Sequence, residues 1–199
     1  RRIHMLQYMT NRYSQIDANL NFPNECKNHD RYSGLYCTYL KAAKLAKSNL
    51  SKATDTCNYL NNERFIGECD LYIATALAIN IGVNTKEKIG HIGSFCESLP
   101  FPFWRMECYY VLADSLVSIE PAPNIPINEI ANACTKSRLI GNFLCFDHTV
   151  RDLPLEKGKE LCKLIENQVG AENCYKGLAN KLYRLNITLA KEEYHNVPD

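Results

Sequence analysis

The sequence predicts an all-α protein, an array of about five αα-hairpins, each linked by a disulfide, forming a short α-solenoid or helical bundle. Three observations predict it. The ten cysteines fall into five evenly spaced pairs, a helical stripe follows the second cysteine of each pair, and no stretch alternates as a strand would over more than a few residues.

The pairs are Cys26/Cys37, Cys57/Cys69, Cys96/Cys108, Cys134/Cys145 and Cys162/Cys174, with 10, 11, 11, 10 and 11 residues between their members. Gaps between successive pairs are longer and irregular, so the pair is the repeating unit. Five positions beyond each second cysteine stand Ala42, Ala74, Ala113, Val150 and Ala179. Eight positions beyond stand Leu45, Leu77, Leu116, Leu153 and Leu182, and one position beyond, Tyr109, Phe146 and Tyr175 are aromatic. Offsets of 0, +1, +4, +5 and +8 share one helical stripe, so each second cysteine is expected to open a helix on its buried face.

Between the two cysteines of a pair the sequence reads as a turn. Pro100 and Pro102 stand between Cys96 and Cys108, and two prolines so placed cannot both lie inside a helix. Asn61, Asn62 and Gly67 punctuate the second pair, and Gly170 the fifth. A bond across a helix–helix corner then becomes geometrically reasonable. Many connectivities are open to ten cysteines, and bonds between neighbouring units stand as the alternative to pairing within each unit. Closing a loop of this length constrains the unfolded chain by roughly 3 kcal/mol.

Residues 1–21 read as an N-terminal helix with Met5, Tyr8 and Met9 on one face. Residues 79–93 read as a long connection with room for an extra helical turn, and Pro121, Pro123 and Pro126 make residues 118–128 an extended one. The latter is the candidate internal boundary, but the repeat continues on both sides, so residues 1–199 are taken as a single helical-repeat domain. The last helix is expected from Glu172 to about Tyr194, as a terminal cap.

Composition narrows the function classes. Basic and acidic residues number 23 and 22, so no basic excess exists to displace phosphate counterions, and a nucleic-acid partner is not expected. The longest apolar stretch, residues 71–83, is shorter than the ~18–20 residues of a spanning helix and is broken by Thr75, Asn80 and Gly82. The chain does not begin with Met and its first residues lack an apolar signal core; a removed leader or a trimmed chain would account for both. Regularly paired cysteines place the chain in an oxidising compartment outside the cytosol, secreted or periplasmic.

Chemistry is sparse. CXXC knuckles are missing and the histidines His4, His29, His91, His148 and His195 are scattered, so neither zinc nor another metal or cofactor is expected. His148 and Asp152, four apart on one helix face, are the one hint of an enzyme assembled between repeats, and no nucleophile accompanies them. Glu68 and Glu107 each precede a second cysteine; their repetition points to favourable charge in the first turn of a helix rather than to an acid/base pair. Phe101, Phe103 and Trp104 concentrate apolar bulk on a turn, where they would either plug the end of the core or anchor a protein partner. Sequons at Asn49 and Asn186 are compatible with glycosylation.

Hairpins recurring through residues 26–182 resemble the tetratricopeptide and Sel1-like class of α-solenoids. The resemblance lies in architecture: the glycine-rich turns and Trp/Leu/Gly/Tyr signature of those families are absent. It implies disulfide-stapled hairpins, as in cysteine-rich secreted Sel1-like proteins, and a non-enzymatic scaffold or structural subunit that binds another protein. A second resemblance, to twin-CX9C assembly subunits of the mitochondrial intermembrane space, implies both cysteines of a pair on one helix. The prolines between Cys96 and Cys108 contradict that arrangement.

Overall fold

The structure is a computed structural model that describes residues 20–79, 85–118, 124–137 and 144–185. Among these residues lie nine α-helices, one 3-10 turn (Asn24–Cys26) and no strand. The helices are α1 (Arg31–Ala46), α2 (Leu50–Asn58), α3 (Glu63–Ala78), α4 (Thr85–Ser98), α5 (Pro102–Val117), α6 (Ile127–Lys136), α7 (Leu144–Asp152), α8 (Leu155–Lys163) and α9 (Gln168–Leu185). The all-α expectation holds. No helix among the described residues is long and apolar enough to cross a membrane.

Helix starts follow local chemistry. The Asp30 carboxylate accepts from the backbone N–H groups of Tyr32 and Ser33 and caps α1. Asn49 caps α2 through Lys52 N–H, and Asn62 caps α3 through Arg64 and Phe65 N–H. Asn61 turns the chain between α2 and α3 at φ 48°, a left-handed conformation that asparagine tolerates better than bulkier residues. Pro102 occupies the first position of α5, where its missing N–H costs nothing.

The helices carrying the second cysteines, α1, α3, α5, α7 and α9, pack one against the next as a continuous row. The first-cysteine helices lie along them: α2 against α1 and α3, α4 against α3 and α5, α6 mainly against α5, and α8 against α7 and α9. Four disulfides join the two sets and a fifth ties the 3-10 turn to α1: in chain order Cys26–Cys37, Cys57–Cys69, Cys96–Cys108, Cys134–Cys145 and Cys162–Cys174 have Cα–Cα distances of 5.7, 5.6, 5.4, 5.3 and 5.5 Å. These lie within the range an unforced disulfide adopts. Each bond spans a corner between helices, except the first, whose Cys26 sits in the 3-10 turn rather than at the end of a helix. No cysteine is free.

The repeat stripe is the core. Ala42, Ala74, Ala113 and Val150 are fully buried, and Ala179 nearly so. Leu116, Leu153 and Leu182 fill the next layer, with Leu45 and Leu77 half-buried at the equivalent positions.

Several local expectations need correction. Cys145 opens α7 as expected, but the other second cysteines do not open their helices: α1, α3, α5 and α9 each begin six residues earlier, at Arg31, Glu63, Pro102 and Gln168. Caps at Asp30 and Asn62 and the proline at 102 set these starts, and capping outweighs the cysteine register. Gly67 and Gly170 accordingly lie inside α3 and α9, not in turns. Much of residues 79–93 is α4, because Ile92, Phe95 and Cys96 share a buried face that sustains a full helix despite Gly90 and Gly93. The final helix starts at Gln168, four residues before Glu172. Residues 1–19, expected as an N-terminal helix, and 186–199, through which the last helix is expected to run to about Tyr194, lie outside the described residues, as does 119–123 of the proline-rich connection.

Candidate interaction surface

Helix α1 buries Gly34, Leu35, Thr38, Tyr39, Ala42 and Ala46 on one side. On the other, Tyr32, Tyr36 and Leu40 recur every four residues and are 54%, 55% and 47% exposed. Three large apolar side chains in one line cover about 12 Å of helix, at 1.5 Å rise per residue. The line continues onto α3. Tyr72 meets Tyr36 edge-on at 6.5 Å between ring centroids and lies against Tyr39 at 5.0 Å.

Beneath this aromatic cluster is a polar anchor. The buried Tyr39 donates its hydroxyl to Glu68 Oε2 at 3.0 Å, and Arg64 Nε donates to Glu68 Oε1 at 3.0 Å. Glu68 therefore ties α1 to α3 and lies in the second turn of α3. Its position does not serve the first-turn charge role expected from sequence, because the helix starts at Glu63. The equivalent Glu107 is also past the first turn, and burial holds its carboxyl above the usual carboxylate range.

The aromatic turn divides between two uses. Trp104, in the first turn of α5, is half-buried with its indole laid over Gly67 of α3; a Cβ at Gly67 would stand 2.1 Å from Trp104 Cε2. Phe103 packs edge-on against Trp104 at 4.9 Å and remains 49% exposed. Phe101 is half-buried in extended backbone just before α5.

His148 and Asp152 share α7, but the local chemistry goes elsewhere. The His148 ring meets Tyr110 of α5 edge-on at 6.0 Å, and Arg151 donates to Asp147 at 2.6 Å. Among the described residues no group of three or more histidine, cysteine or acidic side chains is placed to hold a metal ion.

One unusual group escapes inspection by motif. Asp70 follows Cys69 on α3, is 2% exposed, and its Oδ1 has no hydrogen-bond partner. Burial raises its pKa from an ordinary 3.8 to about 7. The signal was present in the repeat: position +1 after the second cysteine holds Thr38, Tyr109 and Phe146 in other units, all buried. An aspartate there is a carboxyl at a core position.

Comparison of the chain with protein families, with curated proteins and with solved structures finds no match to any of them.

Proposed function

We propose that this protein is a non-enzymatic, extracytoplasmic helical-repeat scaffold that binds another protein through the aromatic face of α1 and α3. The exposed line of Tyr32, Tyr36 and Leu40, continued by Tyr72, is the observation that carries the reading. Tyrosine offers large contact area with little side-chain freedom to lose, and it dominates energetic hot spots at interfaces. The tie from Tyr39 to Glu68 and Arg64 holds the two helices in fixed relation, which reduces the ordering cost of association.

Five disulfides with no free cysteine fit an oxidising compartment, and the reading takes that compartment to be the periplasm or the secreted space. Stacked hairpins of this kind belong with the tetratricopeptide and Sel1-like solenoids in how they present a surface, and a structural subunit of a larger assembly is the role we assign.

The test is affinity purification from the native source under non-reducing conditions, with wild type and a Tyr36→Ala/Leu40→Asp variant side by side. The same partner should be recovered with wild type and lost with the variant, while both give identical circular dichroism and thermal unfolding. Equal recovery with both proteins, or recovery of wild type only as a monomer, would remove this surface from consideration.

A further inference from the structure

Helices α4 and α6 both lean on α5 without packing along one another, and the space between them is an open cleft of about 500 Å³. Ile89, Gly90, Gly93 and Ser94 of α4 form one wall. Tyr109 and Leu112 of α5 form the base, and Glu129, Asn132 and Ala133 of α6 form the other wall. The volume falls within the range of small-molecule sites. One end is closed by a polar clamp. Tyr109 donates its hydroxyl to Glu97 Oε1 at 2.6 Å, and Lys136 Nζ donates to the same oxygen at 2.9 Å and to the tyrosine hydroxyl at 3.1 Å. The ammonium also stands 4.8 Å from the Tyr109 ring centroid.

Two independent features of this cleft bear on what it holds. The first is the glycine pair. Gly34, Gly67, Gly158 and Gly177 each lie under a side chain of the protein: an added Cβ would come within 3.1 Å of Phe22, 2.1 Å of Trp104, and 3.0 and 2.6 Å of Val150 respectively. At Gly90 and Gly93 an added Cβ would meet nothing within 4 Å. No side chain of the fold lies over either Cα, although the Tyr109 hydroxyl stands 3.3 Å from the Gly93 carbonyl, and the two residues leave bare backbone as a flat wall. The second feature is charge. Lys136 is matched by Glu97, whereas Glu129, in the first turn of α6 where the helix N-terminus favours its charge, has no side-chain hydrogen bond or ion pair among the described residues, nor has the Asn132 side chain one turn further along α6. The lining therefore carries one carboxylate without a side-chain partner at the end opposite the clamp.

We infer that the cleft between α4, α5 and α6 binds a small organic cation with an apolar body, its amine or guanidine group held by Glu129 and Asn132. The body lies between the Gly90–Gly93 backbone and Ala133, above Leu112 and toward Tyr109. Glu129 and Lys136 are seven residues apart, about 10.5 Å along a helix, which leaves room for one ring or a short alkyl chain between them. This site is separate from the α1–α3 surface and stands or falls independently of it.

The experiment titrates phenethylamine and, separately, 3-phenylpropionate into the full disulfide-bonded chain, followed by amide chemical shifts. The amine should saturate shifts confined to α4, α5 and α6, with the carboxylate at least tenfold weaker. Gly93→Leu fills the cleft from a position with open space above it, so it should abolish binding while leaving the fold intact. Glu129→Gln keeps the shape and removes the charge, and should weaken the amine about tenfold. Equal binding of the carboxylate, amine affinity unchanged in either variant, or no saturable response from wild type would each overturn the proposal.

Discussion

Replacing Asp70 by asparagine removes an ionisable group from a site that is 2% exposed while conserving its shape. The native carboxyl titrates near pH 7, against 3.8 for an ordinary aspartate, because burial penalises its charged form. Between those two values the folded protein binds a proton that the unfolded chain has released. Stability attributable to Asp70 is thus fully present below about pH 4 and is lost as the pH rises toward about 7, with little change beyond. A rise of roughly three pH units corresponds to about 4 kcal/mol, at ~1.36 kcal/mol per unit. The assay is urea unfolding of wild type and Asp70→Asn across that pH interval, with the disulfides kept intact. The difference in unfolding free energy between the two should move by about 4 kcal/mol in favour of asparagine from the acid to the neutral end. Glu107, also raised by burial, and Glu25, Asp30 and Glu97, lowered chiefly by hydrogen bonds from Lys41, Ser33 and Tyr109, titrate in both proteins and cancel in that difference. Parallel stability–pH curves would refute the reasoning, since they would mean that water reaches the Asp70 carboxyl in the folded state.

Other expectations concern packing and cross-links. Gly67→Ala drives a methyl into the Trp104 indole and should destabilise the protein by about 3 kcal/mol, a penalty that should largely vanish in a Trp104→Ala background when a double-mutant cycle is measured. Replacing Cys96 and Cys108 together by alanine opens one corner and should lower unfolding free energy by about 3 kcal/mol in denaturant titrations, with helix content retained.

Cysteine spacing by itself marked the five cysteine pairs, the corners they close and the helical stripe of the core. Each of these is a short-range regularity: a bond across a turn of about a dozen residues and a side-chain period of 3.6 are properties of the local chain. Helix starts were legible too, in Asp30, Asn62 and Pro102, although the cysteine register pointed to later positions. What the tertiary structure decided depends on partners far apart in sequence. Gly67 has the composition of a turn residue, yet it lies within α3 because Trp104 needs the space above it. Gly90 and Gly93 have the same composition and the opposite surroundings, open space beside α6, and no local rule separates the two cases. Asp70 was legible in part: its place directly after Cys69 is a core position of the stripe, whereas its altered acidity arises from the packing that buries it. The line of Tyr32, Tyr36 and Leu40 has the spacing of a buried stripe and became an exposed surface only because α1 turns its other side to α2 and α3. Periodicity reports that a face exists; which face meets protein and which meets water is settled by how the helices stack.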